Sequence, residues 1–218
     1  LYTALANIDP AVTAGVMNDT AAVTREIIKR LSAGMGSAAA AGLNANPAFL
    51  DALVGASDPA VLASALNSSN GDLIRALIPA LSSAVAQRAA QGINLNAAKP
   101  PSESFIKSTI LYSNPTVIAA AVNSNPSFVG GLLRNLNADA AAAIAAGMNA
   151  SPTTAEEVAR RLNADVGNAI AEALNNRTDI IQPLLANLSP AVGAAIAKGL
   201  NQAPPDFTGA MMSGLSTA

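Results

Sequence analysis

Few side chains of this protein could take part in catalysis or hold a metal ion. The chain contains no histidine and no cysteine, which removes the commonest general base, the commonest metal ligand and the thiolate nucleophile. The one adjacent pair of carboxylates, Glu156 and Glu157, would be the pair to do acid–base chemistry. Neighbouring residues of a helix do not face each other, and Arg160 and Arg161 follow the two glutamates by four residues. We therefore expect ion pairs on a solvated helix surface, not an active site.

Binding motifs are equally scarce. No Gly-Lys-Ser/Thr ending of a phosphate loop occurs, and the tripeptide at 70–72, Asn-Gly-Asp, lacks the following ligands of a calcium loop. The net charge of -2 provides no basic stripe for nucleic acid. The uncharged stretch 108–133 is interrupted by Asn and Pro, unlike a membrane-spanning helix. The sequence predicts no catalytic residue, no cofactor, no metal site, no nucleic-acid partner and no transmembrane segment, and thus no enzyme.

One polar residue recurs along the whole chain. An asparagine that follows an aliphatic residue returns at intervals of 26, 23, 27, 29, 26, 26 and 26 residues. In seven of the eight copies the residue two positions before it is Gly or Ala, and Val16 is the exception. A fixed period in this range is typical of stacked repeat architectures. The recurring asparagines are Asn18, Asn44, Asn67, Asn94, Asn123, Asn149, Asn175 and Asn201.

We interpret these asparagines as structural caps of the repeats. Each follows the last apolar residue of a predicted helix, where a left-handed residue often ends the helix, and Asn tolerates that conformation well. Two other roles are open to the side-chain amide: a hydrogen bond to the neighbouring turn, which would form a ladder along the stack, and a row of amides that binds a ligand. The cap with local hydrogen bonds is the preferred interpretation.

Each repeat is predicted to hold two short helices, A ending at the asparagine and B following it. Seven Asp, Asn or Ser residues stand directly before a proline, as in Asp9-Pro10 and Ser189-Pro190. Such a side chain accepts a hydrogen bond from the first helical turn, and proline fits the first helical position. Helices of about ten residues are marginal alone, so Gly and Ala must allow close packing. A leucine thirteen residues after the asparagine is a predicted core position, at Leu31, Leu136, Leu162 and Leu188.

The sequence therefore predicts an all-α fold, an alanine-rich α-solenoid of about eight two-helix repeats of roughly 26 residues. Short connections favour antiparallel neighbours within each A–B pair. We expect one helical-repeat domain over residues 1–218. The connection 95–104 is the longest and contains Pro100-Pro101, which makes it a candidate hinge between half-stacks 1–94 and 105–218.

The expected function is non-catalytic: a structural or interaction protein, the building unit of an extracellular fibre, surface layer or matrix. Residues 2–7 resemble the ends of later B helices, so we expect the chain to begin inside a repeat, and an uncapped solenoid end exposes an apolar face. Self-association into an oligomer or polymer, outside the cell or at its surface, is the expectation from this composition. The alternative is a binding module that holds a peptide, glycan or lipid-like ligand on a concave face.

Overall fold

The prediction of an all-α chain is confirmed. The computed structural model describes residues 8–30, 33–58, 61, 72–97, 105–112, 114–175 and 177–215, and these ranges contain helices and no strand. One turn of 3₁₀-helix, Ile78–Ala80, follows the fifth α-helix. The helices are α1 Pro10–Asp19, α2 Ala21–Lys29, α3 Ala33–Ala45, α4 Ala48–Ala56, α5 Asp72–Leu77, α6 Ser83–Ala97, α7 Phe105–Tyr112, α8 Pro115–Ser124, α9 Pro126–Asn135, α10 Ala138–Ala150, α11 Pro152–Ala159, α12 Ala164–Leu174, α13 Thr178–Asn187, α14 Pro190–Gln202 and α15 Pro205–Gly214.

The helix starts follow from the cap-and-proline signals. Five of the seven predicted prolines are the first residue of a helix, where no backbone donor is needed. Six side chains accept a hydrogen bond of 2.8–3.4 Å from an N–H of the first turn, which satisfies one of the donors that every helix start leaves open: those of Asp9, Asn114, Asn125, Asn137, Asn163 and Ser189.

Helices that follow one another in the chain make few contacts with each other. Between α13 and α14 the chain turns by 111°, whereas an antiparallel pair would need nearly a full reversal. The connecting Leu188 and the cap Ser189 both have extended backbones, with ψ of 132° and 155°, and they direct the second helix away from the first. The expected antiparallel A–B pairs therefore do not describe the packing of these helices.

The main contacts join helices that are three apart. From α6 onward the packed pairs are α6 with α9, α7 with α10, α8 with α11, α9 with α12, α10 with α13, α11 with α14, and α12 with α15. Earlier in the chain α1 packs on α4, α3 on α5 and α4 on α6; only residue 61 of the segment 59–71, which separates α4 from α5, is among the described residues. Each helix is thus stabilised by helices remote in sequence.

The apolar core lies along these contacts. Three clusters of buried side chains each combine helices from different repeats, with large residues such as Phe49, Phe128 and Phe207 among many alanines. Of the predicted core leucines, Leu136 and Leu162 are buried. Leu188 is half-buried, and Leu31 lies outside the described residues.

Glycine at the position two before the recurring asparagine lets the backbones touch. A Cβ on Gly199 would lie 2.5 Å from the carbonyl oxygen of Glu156 in α11, and a Cβ on Gly92 would lie 2.7 Å from that of Asp51 in α4. Real Cβ atoms do not approach backbone so closely, so any side chain there pushes the helices apart. The Gly or Ala of the repeat signature is therefore a packing requirement against an earlier helix.

The candidate hinge at 95–104 stays a prediction. Residues 95–97 complete α6, and residues 98–104 lie outside the described residues. Contacts do join the segments on either side of it: the Nδ2 of Asn125 donates to the carbonyl oxygens of Ile78 and Leu81 at 2.8 and 2.9 Å.

As for a membrane crossing, none of the described helices by itself has both the length and the apolar character to make one. Only the bent pair α13 and α14, counted together, satisfies the criterion of length and composition.

Two glycines of α14 provide a matched test of the close packing. We expect Gly199→Ala to lower the free energy of unfolding by about 1–3 kcal/mol, because the new methyl group meets backbone. Gly193 has open space around it, so Gly193→Ala should raise the stability by up to about 1 kcal/mol through helix propensity alone. Urea denaturation followed by circular dichroism measures both, and equal effects at the two sites would contradict the packing argument.

Candidate functional site

The carboxylates do not gather into a catalytic or metal-binding cluster. Among the described residues no group of three or more His, Cys, Asp or Glu side chains lies close enough to hold a metal ion. Glu157 pairs with Arg161 and, at 2.5 Å, with Arg160. Glu156 instead meets Lys198 of α14 at 2.8 Å, because α14 packs directly on α11. The expected pair of Glu156 with Arg160 is therefore replaced by one between helices.

Two carboxyl groups have lowered pKa values. The hydrogen bond from Arg161 is the main cause at Glu157, and the charges of Arg160 and Arg161 add to it against a smaller effect of desolvation. The hydrogen bonds from Arg177 lower the pKa of Asp179 in the same way. Both groups are thus held as carboxylates for ion pairing, which is the opposite of what a general acid at neutral pH needs.

The recurring asparagines build the most regular polar feature of the molecule. Asn123 shows the arrangement: its Nδ2 donates to the carbonyl oxygen of Arg161 at 2.7 Å, and its Oδ1 accepts from the backbone N–H of Asn163 at 3.0 Å. One side chain thereby holds a short corner of backbone 38–40 residues later in the chain. We call this pair of bonds an asparagine bridge.

Five complete bridges are present, with all ten bonds between 2.6 and 3.3 Å. The separation in sequence is 36–43 residues, always longer than one 26-residue repeat. The bridges run from Asn18 to Ala56 and Asp58, from Asn44 to Ala80 and Ser82, from Asn94 to Asn135 and Asn137, from Asn123 to Arg161 and Asn163, and from Asn149 to Asn187 and Ser189.

Each bridge satisfies the backbone at a corner where one helix ends and another begins. The accepting carbonyl lies at or near the end of a B helix, and the donating N–H belongs to the N-cap residue of the next A helix. At the corner 161–163, Asn163 gives its N–H to Asn123 while its own Oδ1 caps Val166 at 3.0 Å. The residue in the middle is Leu162, which is buried. The bridge, the cap and the core position are therefore fixed together.

The asparagines lie inside the last helical turn and not in a left-handed cap. Asn18, Asn44, Asn123, Asn149 and Asn201 are each followed by one more helical residue, and three more follow Asn94. The C-caps themselves have negative φ, for example −118° at Thr20 and −143° at Ser151. The helices end without a left-handed residue, so the amide is available for the remote corner.

The remaining three asparagines complete the set. Asn175 is the C-cap of α12 and donates to the carbonyl oxygen of Gly214 at 2.9 Å. The side chain of Asn201 is exposed and makes no hydrogen bond with any described residue. Asn67 lies outside the described residues. Because ten amide atoms of the five complete bridges are bonded to backbone, these five do not form an open row for a ligand.

Sequence reasoning missed a second clamp at one of the corners. Arg177, held by Asp179 at 2.8 and 2.9 Å, donates to the carbonyl oxygens of Arg134 and Leu136, the latter at 2.7 Å. The same corner is bridged by Asn94. The clamp does not recur along the sequence, so no period could reveal it.

Exposed large apolar side chains are concentrated near the two ends of the described chain. Six of the ten lie before residue 36 and three lie at residue 185 or later, while Leu95 is alone between them. They are Ile8, Val12, Val16, Val23, Ile27 and Met35 at one end, and Leu185, Met212 and Leu215 at the other.

No protein-family model matches the chain, and neither the curated proteins nor the solved structures contain a match. The functional argument therefore depends on the geometry of this chain alone.

Removal of one bridge should cost measurable stability. We expect Asn123→Leu to lower the free energy of unfolding by about 2–3 kcal/mol, because two hydrogen bonds are lost and a carbonyl and an N–H are left unpaired. Asn201→Leu makes the same change at a position without partners, and should leave the stability within about 0.5 kcal/mol. Equal losses, measured by urea denaturation at low protein concentration, would exclude a stabilising role for the bridge.

The lowered pKa values predict a defined acid sensitivity. The ordinary pKa values are 4.5 for Glu157 and 3.8 for Asp179, and the folded values lie lower. The ion pairs therefore stabilise the fold fully above about pH 5, and this contribution is lost as the pH falls through the lowered values. Thermal unfolding of a Glu157→Gln/Asp179→Asn variant should show a lower melting temperature at neutral pH and a smaller decrease in acid. Glu172→Gln, at an exposed glutamate outside the ion pairs of the described residues, should behave like the parent protein.

Proposed function

We propose that the chain is an α-solenoid with three helices in each turn, and that it serves as a non-catalytic building unit that associates with copies of itself. The contacts between helices three apart support the coil. The turn of 111° between α13 and α14 is close to the third of a circle that a three-sided coil requires. The bridges span 36–43 residues, which is about one and a half of the 26-residue repeats.

In this coil each side is a row that alternates between the two helix types. The row α4, α6, α9, α12 and α15 contains B, A, B, A and B helices, each packed on the next. The sequence repeat therefore contains two helices while the turn contains three. Both periods follow from the same contacts, because an A helix meets a B helix on either side in its row.

The observation that carries the structural function is the apolar surface at the ends. Solenoid proteins that remain monomeric need terminal repeats with a polar outer face, whereas nine of the ten exposed large apolar side chains lie near the ends of the described chain. Exposed apolar surface of this kind marks an interaction site. Between the ends, the regular polar groups are used by the backbone of the chain itself.

A fibre, surface layer or matrix is the assembly that fits such a unit. A low share of charged residues, 12%, limits repulsion between copies. The absence of cysteine means that association needs no disulfide. We place this assembly outside the cell or at its surface, and fractionation of the source cells tests that location.

Sedimentation velocity tests the self-association. The apparent mass should rise above the 21.6 kDa of one chain as the protein concentration is increased, and electron microscopy should show particles joined at their ends. Met212→Lys should weaken the association more than tenfold, since burial of a methionine contributes about 1.5–3 kcal/mol. Leu95→Lys is the control, because Leu95 is as exposed as Met212, 64% against 65%, but lies mid-chain. A chain that stays monomeric at every concentration would contradict the proposal.

A further inference from the structure

We infer that the association has a defined register, in which Asn201 of one copy bridges to the corner at Asp9 of a second copy. This inference rests on the proposed self-association and specifies the two surfaces that meet. It follows from a comparison of the two ends with the five complete bridges inside the chain.

Asn201 is one half of a bridge without its partner. Gly199-Leu200-Asn201 at the end of α14 corresponds to Gly147-Met148-Asn149 at the end of α10. Asn149 is bonded to a corner on both of its amide atoms, whereas the side chain of Asn201 has no bond with the described part of the chain and is exposed.

Asp9 belongs to a corner without its asparagine. Ile8-Asp9-Pro10 before α1 corresponds to Leu188-Ser189-Pro190 before α14, and Asp9 caps its helix with a bond of 2.8 Å to Ala11. The N–H of Ser189 is bonded to Asn149 at 2.8 Å, while the N–H of Asp9 has no partner among the residues described. Ile8, at the central corner position, is 46% exposed where Leu136 is 3% exposed.

The helices beside these groups agree with the same register. In the chain, Asn149 bridges to the corner before α14, and α11 packs on α14. By the same rule, a bridge from Asn201 to Asp9 places α15 of one copy on α1 of the next. Met212 and Leu215 near α15 would then cover Val12 and Val16 of α1, all four of which are exposed in the single chain.

Glycines with room around them lie on these same helices. A Cβ on Gly15 of α1, Gly193 of α14 or Gly209 of α15 would meet no atom within 4 Å, whereas glycines of the inner helices lie against backbone. Small residues permit the close approach that the inner contacts use. Both end surfaces are thus shaped like inner surfaces whose neighbour is missing.

Val16 limits the strength of this contact. It stands two residues before Asn18, where the other repeats have Gly or Ala, so its two methyl groups would meet the incoming α15. In-register stacking therefore predicts that Val16→Ala strengthens the association. A non-specific apolar contact predicts the opposite, because the substitution removes exposed apolar area.

The test compares dissociation constants from sedimentation velocity for four proteins: the parent chain, Asn201→Leu, Gln202→Leu and Val16→Ala. Asn201→Leu should raise the dissociation constant about tenfold without changing the circular dichroism spectrum. Gln202→Leu, the same chemical change at the next exposed residue, should leave it unchanged, and Val16→Ala should lower it.

The outcomes separate this inference from the proposed function. If the parent chain associates but Asn201→Leu behaves like Gln202→Leu, or Val16→Ala weakens the contact or leaves it unchanged, the register is wrong while self-association stands. If no protein of the series associates at any concentration, both are wrong.

Discussion

The fold depends on one interaction, the asparagine bridge between the end of a helix and a remote corner of the backbone. A helix leaves its first amides and last carbonyls without partners, and a chain of helices of about ten residues has many such ends. The bridge supplies a donor to a carbonyl that ends one helix and an acceptor to the cap residue that begins the next. The two contacts also define where the corner lies, because both amide atoms must be satisfied at once. Short helices are thereby fixed in position although none would be stable alone.

Close packing of small residues makes this bridge possible. An asparagine side chain is short, so it reaches the corner only if the helices approach closely. Gly199 lies against the backbone of α11, and Gly92 lies against that of α4. Larger side chains at these positions would separate the rows and break the bridges. The abundance of alanine and glycine is therefore a geometric requirement of the polar network as much as a source of apolar surface.

The sequence predicted the parts that depend on local chemistry. Cap-and-proline pairs marked the helix starts, the period marked the asparagines, and the core positions of Leu136 and Leu162 followed from the spacing. The order of packing was not predictable in the same way. A 26-residue repeat states that two helices recur, but the angle at the corner decides which helices meet, and that angle depends on the extended backbone of residues such as Leu188 and Ser189. Lys198 and Arg177 contact groups about 40 residues away, and no local pattern announces them.

Val16 illustrates how a departure from a repeat acquires meaning only with the packing. In the sequence it is one exception among eight copies. The structure explains the rule, since the small residue touches an earlier helix, and α1 is the first described helix of its row. A free valine there is compatible with the single chain, and it also makes the end surface different from every inner one. The two ends differ in kind, because one carries an asparagine without a corner and the other a corner without an asparagine. Contacts between unlike surfaces do not close on themselves as those of a twofold dimer do, so units joined in the proposed register would continue in one direction as a polar filament.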